Sequence, residues 1–125
     1  NLHGIVYVAE TDQLILSDVG SGANPTDGKL YVLDNGSTAD GITDVTVNID
    51  NGDNSTVGNT QLGNPVDIAF DGEHLYVAEK SQGMVLRFDN ILDSAGGDVT
   101  PSQTWMQSSP ESVSLIADYL GRAPE

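Results

Sequence analysis

Asn64-Pro65-Val66-Asp67-Ile68-Ala69-Phe70-Asp71-Gly72-Glu73-His74-Leu75-Tyr76-Val77-Ala78-Glu79 is the stretch on which the fold turns. Two short apolar runs, Val66 to Phe70 and Leu75 to Ala78, flank the pair Asp71-Gly72. Asp-Gly between such runs is hairpin chemistry, because the glycine takes positive φ without steric cost. A third run, Met84-Val85-Leu86-Arg87-Phe88, follows the turn Ser81-Gln82-Gly83. After a loop at 89–101 that contains Gly96-Gly97, Gln103-Thr104-Trp105-Met106 serves as a fourth strand. The reading is four short antiparallel strands in sequence order.

The same order occurs earlier in the chain. Gly4-Ile5-Val6-Tyr7 aligns with Asp67-Ile68-Ala69-Phe70. Leu14-Ile15-Leu16-Ser17-Asp18 aligns with Leu75-Tyr76-Val77-Ala78-Glu79, so both second strands end on an acid. Leu30-Tyr31-Val32-Leu33-Asp34-Asn35 aligns with Val85-Leu86-Arg87-Phe88-Asp89-Asn90. The first copy carries an insertion around Ser21 to Asp27, and its fourth strand reads Asp44 to Asp50, with Val45, Val47 and Ile49 on one face. Residues 51–64 are polar and rich in Asn, Gly, Ser and Thr, which predicts a surface connection. Internal repetition at this period indicates β-propeller blades or a related array. The expected organisation is all-β: a first four-stranded blade over 1–50, a second over 51–107, and 108–125 as the start of a third blade or a C-terminal helix. In that tail Ser108-Ser109-Pro110-Glu111 is a sound helix start. The segment Val113, Leu115, Ala117, Tyr119 also alternates as a strand, and Pro110-Glu111-Ser112-Val113 echoes Asn64-Pro65-Val66.

The stretch Asn64 to Asp89 resembles the NHL-type repeat, in which a proline opens the repeat, an Ile-Ala strand runs to an Asp-Gly turn, and Leu-Tyr-Val-Ala and Val-x-x-Phe-Asp strands follow. Leu2 to Asn35 is a weaker copy. The resemblance implies a propeller of four-stranded blades. It is also similar to gluconolactonase-like propellers, but no position here matches their metal-ligand motifs residue by residue. Ser81-Gln82-Gly83 stands where the family usually has Asn-His-Arg. Two blades are fewer than a ring needs, so the ring is expected to be incomplete in this chain. The expected partners are further blades of the same protein or copies of itself.

The chain has 125 residues, with 19 Asp and Glu against 4 Lys and Arg, a formal net charge of −15. Lys29, Lys80, Arg87 and Arg122 are scattered singly, whereas a nucleic-acid binder needs clustered cations. Neither nucleic acid nor membrane insertion is expected: the charge repels phosphates, and no apolar run approaches the ~20 residues of a span. Hydrophobic residues make up 38% of the chain, too many for a disordered acidic tail. There is no cysteine, which removes thiolate catalysis and disulfides. The first residue is Asn1 rather than Met, which suggests a processed product or part of a longer one. High Asp with little Lys suits an extracellular or periplasmic setting.

No cofactor is expected; calcium is the one candidate ion. Its candidate ligands are Asp50 and Asp53 in the loop Asp50-Asn51-Gly52-Asp53-Asn54-Ser55, since calcium takes oxygen ligands from flexible loops. Gly52 falls where an EF-hand would need a ligand, and a hydrated turn is the alternative. His3 and His74 are the only imidazoles, and His74 is expected to be a solvated turn residue. Trp105 is expected to pack in the core rather than serve as an exposed platform. Asn35-Gly36-Ser37 and Asn54-Ser55-Thr56 match the glycosylation sequon. The first functional expectation is a non-enzymatic binding or structural scaffold. A part of a calcium-dependent, lactonase-like hydrolase and a self-assembling ring or filament subunit stand as alternatives.

Overall fold

A computed structural model describes residues 1–41 and 44–116. Eight strands form two four-stranded antiparallel sheets, each in sequence order. The first sheet holds β1 (Leu2–Val8), β2 (Gln13–Asp18), β3 (Lys29–Asp34) and β4 (Val47–Ile49). The second holds β5 (Pro65–Phe70), β6 (His74–Glu79), β7 (Met84–Asp89) and β8 (Gln103–Met106). Among the described residues the only helical pieces are two 3-10 turns, Gly36–Thr38 and Ile91–Asp93. None is long and apolar enough to cross a membrane.

The alignment read from sequence is also the alignment of the registers. Gln13 pairs with Asp34 as His74 pairs with Asp89. Ile5 pairs with Leu16 as Ile68 pairs with Val77. Each first strand carries an irregularity at the same place, between Leu2 and Ile5 and between Pro65 and Asp67. Each third strand ends in Asp-Asn, and the asparagine is left-handed: φ is 55° at Asn35 and 55° at Asn90. Neither side chain caps the 3-10 turn that follows, so asparagine is there for its tolerance of this backbone region.

The two sheets pack face to face over one core. Cross-strand partners share a face, which sorts the residues. The first sheet contributes Val6, Ile15, Leu30, Val32, Val47 and Ile49. The second contributes Ile68, Phe70, Leu75, Val77, Leu86 and Phe88. Leu62 and Ile91 fill the ends. These are not equivalent faces. Val77 of the second sheet corresponds in register to Leu16, which lies on the first sheet's other side. The sheets therefore stack in one sense, with the back of one unit on the front of the next, and are not related as mirror partners.

β1 and β5 run side by side, and Gly4 is where they approach most closely. A Cβ there would stand 2.9 Å from Ile68 Cγ1, 2.9 Å from Ser17 Oγ and 3.1 Å from Ile68 N. The loop after β7 clamps the outer strand of the first sheet: Gly97 N–H donates to Asn48 O (2.8 Å) and Asp50 N–H to Gly97 O (3.1 Å). Gly96 (φ +80°) allows this, since a Cβ would lie 2.6 Å from Asn48 O. Asp98 then accepts the N–H groups of Asn59 and Thr60 (2.8 and 3.0 Å), which holds the long connection in place.

Two expectations need correction. The fourth strand of the first unit is Val47–Ile49, shorter than Asp44 to Asp50. Pairing with β3 begins at Val47, opposite Val32, so Val45 is not bound to the inward face and is 43% exposed. Trp105 does not pack in the core. Its strand β8 is exposed throughout, and the indole, 41% exposed, stacks on Tyr76 with centroids 6.3 Å apart. β8 lies at the sheet edge, and its Trp105 pairs with Val85 on the outward side. In the tail, residues 110–116 carry no regular secondary structure, and Ala117, Tyr119 and Leu120 lie outside the described residues.

Candidate functional site

The acids that end β2 and β6 each gather several hydrogen-bond donors. Glu79 is fully buried. Its Oε1 accepts the backbone N–H of Gly63 (2.7 Å) and that of Asn64, and its Oε2 accepts Gln82 N–H (2.6 Å). Burial pushes its carboxyl above the ordinary range, against the pull of these donors. Asp18 does the same work in the first unit, more openly. It takes the Asn1 ammonium (2.7 Å) and the Gly20 N–H (2.8 Å). The backbone repeats around them: Val19 N–H donates to Asn1 O (2.9 Å) as Lys80 N–H donates to Asn64 O (3.0 Å). Each acid thus gathers the donors of the segment entering its sheet and of the turn leaving its second strand. Sequence showed the acids but not their task, because burial of a carboxylate leaves no mark on periodicity.

His74 is not a freely solvated turn residue. It opens β6, half-buried, and its Nδ1 lies 2.9 Å from Asp71 Oδ2 while Nε2 lies 3.9 Å from Asp89 Oδ1. Burial raises Asp71, but the His74 N–H and ring and the Glu73 N–H outweigh it and hold the carboxyl low. Arg87 binds Asp89 through Nε (2.9 Å) and Nη2 (3.1 Å) and reaches Gln103 Oε1 (3.2 Å) through Nη1. A cleft of about 250 Å³ opens beside this network, lined by Phe70, Glu73, His74, Asp89 and Asp93 among others. The lining of the cleft holds no serine or cysteine. The first unit uses the matching positions for clasps of the same kind. Gln13 Nε2 donates to Asp34 Oδ1 (2.8 Å), and Asp12 accepts Ser37 N–H (2.7 Å), Ser37 Oγ (2.9 Å) and Tyr7 OH (2.9 Å).

The calcium candidates are each occupied in their own turn. Asp50 accepts Gly52 N–H through Oδ1 (2.9 Å) and Asn48 Nδ2 through Oδ2 (2.8 Å). Asp53 Oδ1 accepts both N–H (2.9 Å) and Oγ (2.8 Å) of Ser55, and the Ser55 N–H foremost holds that carboxyl low. Among the described residues no three His, Asp or Glu side chains gather as a metal group. The same loop is tied to the insertion of the first unit, where Asn51 Nδ2 donates to Thr26 O and Thr26 Oγ1 to Asn54 O. His3 is exposed on β1. Of the sequon asparagines, Asn35 is exposed, whereas Asn54 keeps its Oδ1 buried.

No protein-family model matches the chain, and no curated protein matches it.

Proposed function

We propose that the two sheets are blades of a β-propeller of the NHL type, and that the chain is a non-enzymatic binding or structural scaffold of a secreted or surface protein. The observation behind this reading is the stacking of two units that share register, strand irregularity, left-handed asparagine and closing acid, back to front. A stacked repeat can continue in the same sense, as propeller blades do. Glu79, the fully buried acid, spends its carboxylate on backbone donors and lines none of the clefts described above, which fits a scaffold. Fold alone does not give activity. The test is to offer the purified chain a panel of lactones and small esters, with and without calcium. The scaffold reading expects no turnover and no change of melting temperature on addition of a chelator. Calcium-dependent turnover would replace it with the hydrolase alternative.

A further inference from the structure

The outward face of the first sheet is apolar in a specific pattern. The row Ile5, Leu16, Tyr31 corresponds in register to Ile68, Val77, Leu86, and the row Tyr7, Leu14, Leu33 to Phe70, Leu75, Phe88. In the second unit five of these six positions are at most 5% exposed, because the first sheet covers them. In the first unit they keep their apolar character; Leu16 and Leu33 are each 8% exposed, but along β1 the face is open, with Ile5 65% and Tyr7 49% exposed. Beside them Leu2, Leu16, Leu33 and Val45 line a hollow of about 330 Å³. A contiguous apolar patch of this kind marks an interaction surface.

The opposite end of the stack shows what belongs on such a face. There residues 110–116 lie against the second sheet as β5 lies against the first. Pro110 is buried like its counterpart Pro65. Val113, the counterpart of Ile68, donates its N–H to Asp67 Oδ2 (2.9 Å), and Asp67 is the counterpart of Gly4, whose side-chain position faces Ile68 N. Lys80 and Glu111 pair across the same junction (2.6 Å). The segment holds the place of a next first strand.

We infer that the first sheet's outward face docks, back to front, on the outward face of the second sheet in another copy of this chain, and that residues 110–116 cap that docking site from within. The inference rests on the repeat reading above. It extends the existing sheet-on-sheet contact by one step: β1 of one copy takes the place of 110–116 on the next, so that Ile5 meets Asp67. A contact of this head-to-tail kind closes into a ring or grows into a filament.

The experiment uses the full chain in sedimentation velocity over a wide concentration range. Val113→Pro removes the N–H held by Asp67 without touching either sheet, and self-association is expected to tighten about tenfold, the weight of one charge-assisted hydrogen bond. Ile5→Asp in the Val113→Pro background, which sets a carboxylate against Asp67, is expected to abolish the association, while Met106→Asp, on a residue 76% exposed elsewhere, leaves it intact. Because the chain has no cysteine, Ile5→Cys and Asp67→Cys variants can be mixed under oxidising conditions, and the 5–67 cross-link is expected to dominate. A Val113→Pro chain that stays monomeric, or cross-links of the 5–5 or 67–67 kind, would overturn the inference. Either result leaves the scaffold reading standing, whereas lactone turnover would remove that reading without bearing on the association.

Discussion

Replacing Glu79 by glutamine tests how one buried acid holds the second unit together. The carboxylate accepts three backbone N–H groups from two segments, and no solvent reaches it. A glutamine placed with its oxygen toward Gly63 and Asn64 presents an NH₂ group to the Gln82 N–H. One charge-assisted bond is lost, worth roughly 1.5–3 kcal/mol, and a buried donor is left facing a donor. Relief from burying a charge offsets part of this. The expected net loss at pH 7 is about 2 kcal/mol, read as a lower urea midpoint at unchanged slope. The pH dependence carries the sharper test. The folded-state carboxyl sits above its unfolded value, so Glu79 favours folding most below the unfolded value of about 4.3. That contribution fades as pH rises through the folded value. Glutamine does not titrate there, and the other acids are common to both proteins. The stability gap between wild type and Glu79→Gln should therefore narrow from pH 4 to pH 7. A gap that widens over this range would refute the reasoning, because it would mean that the three donors outweigh burial and lower the carboxyl.

Other expectations follow from single contacts. Gly4→Val forces a side chain into the seam between β1 and β5, 2.9 Å from Ile68 Cγ1, and should cost about 2–3 kcal/mol. Calorimetry should show a drop of about 4 °C per kcal/mol. Asn90→Val places a β-branched residue at φ 55° and should cost about 1–2 kcal/mol, while Asn90→Gly should be nearly neutral by the same denaturation assay. Asp12 is held low chiefly by the Ser37 N–H and Glu111 by Lys80. For Asp18 burial raises the carboxyl, but the terminal ammonium and Gly20 N–H prevail, and the net shift is downward. These groups, with Asp71, favour folding above about pH 4 and lose that contribution as pH falls through their folded values. Circular dichroism on acid titration should show the midpoint moving to higher pH when Asp71 is replaced by Asn.

Much of the fold is legible because the chain repeats itself. Alternation alone places Leu75 to Ala78 and Leu14 to Leu16, and the alignment of Asp34-Asn35 with Asp89-Asn90 anticipates two identical turns. What periodicity could not supply is which face of each strand is covered. Leu16 and Ile15 are equally apolar, and only the neighbouring sheet decides that Ile15 meets the core. Val45 misled for the same reason: its alternation with Val47 continues in sequence, but the ladder with β3 does not reach it. Trp105 misled because size was taken for burial, whereas an edge strand can hold an indole against one tyrosine in the open. Among the candidate site residues, Asp50 and Asp53 were visible as acids in a flexible loop. Their use in Asx-type turns depends on the N–H groups of Gly52 and Ser55, which any such loop supplies.

The reach of Glu79 has a consequence for how the molecule opens. Gly63 and Asn64 belong to an irregular connection, where amide protons ordinarily exchange with solvent in the time a loop takes to flex. Here those protons end on a side chain rooted at the end of β6, an inner strand of the second sheet. They can be released only when that carboxylate leaves its place, which disturbs β6 itself. The connection and the sheet should then behave as one cooperative unit in hydrogen exchange, with the Gly63 and Asn64 amides protected on the timescale of the β6 ladder. A flexible-looking stretch of sequence would thus record the lifetime of the strand beside it.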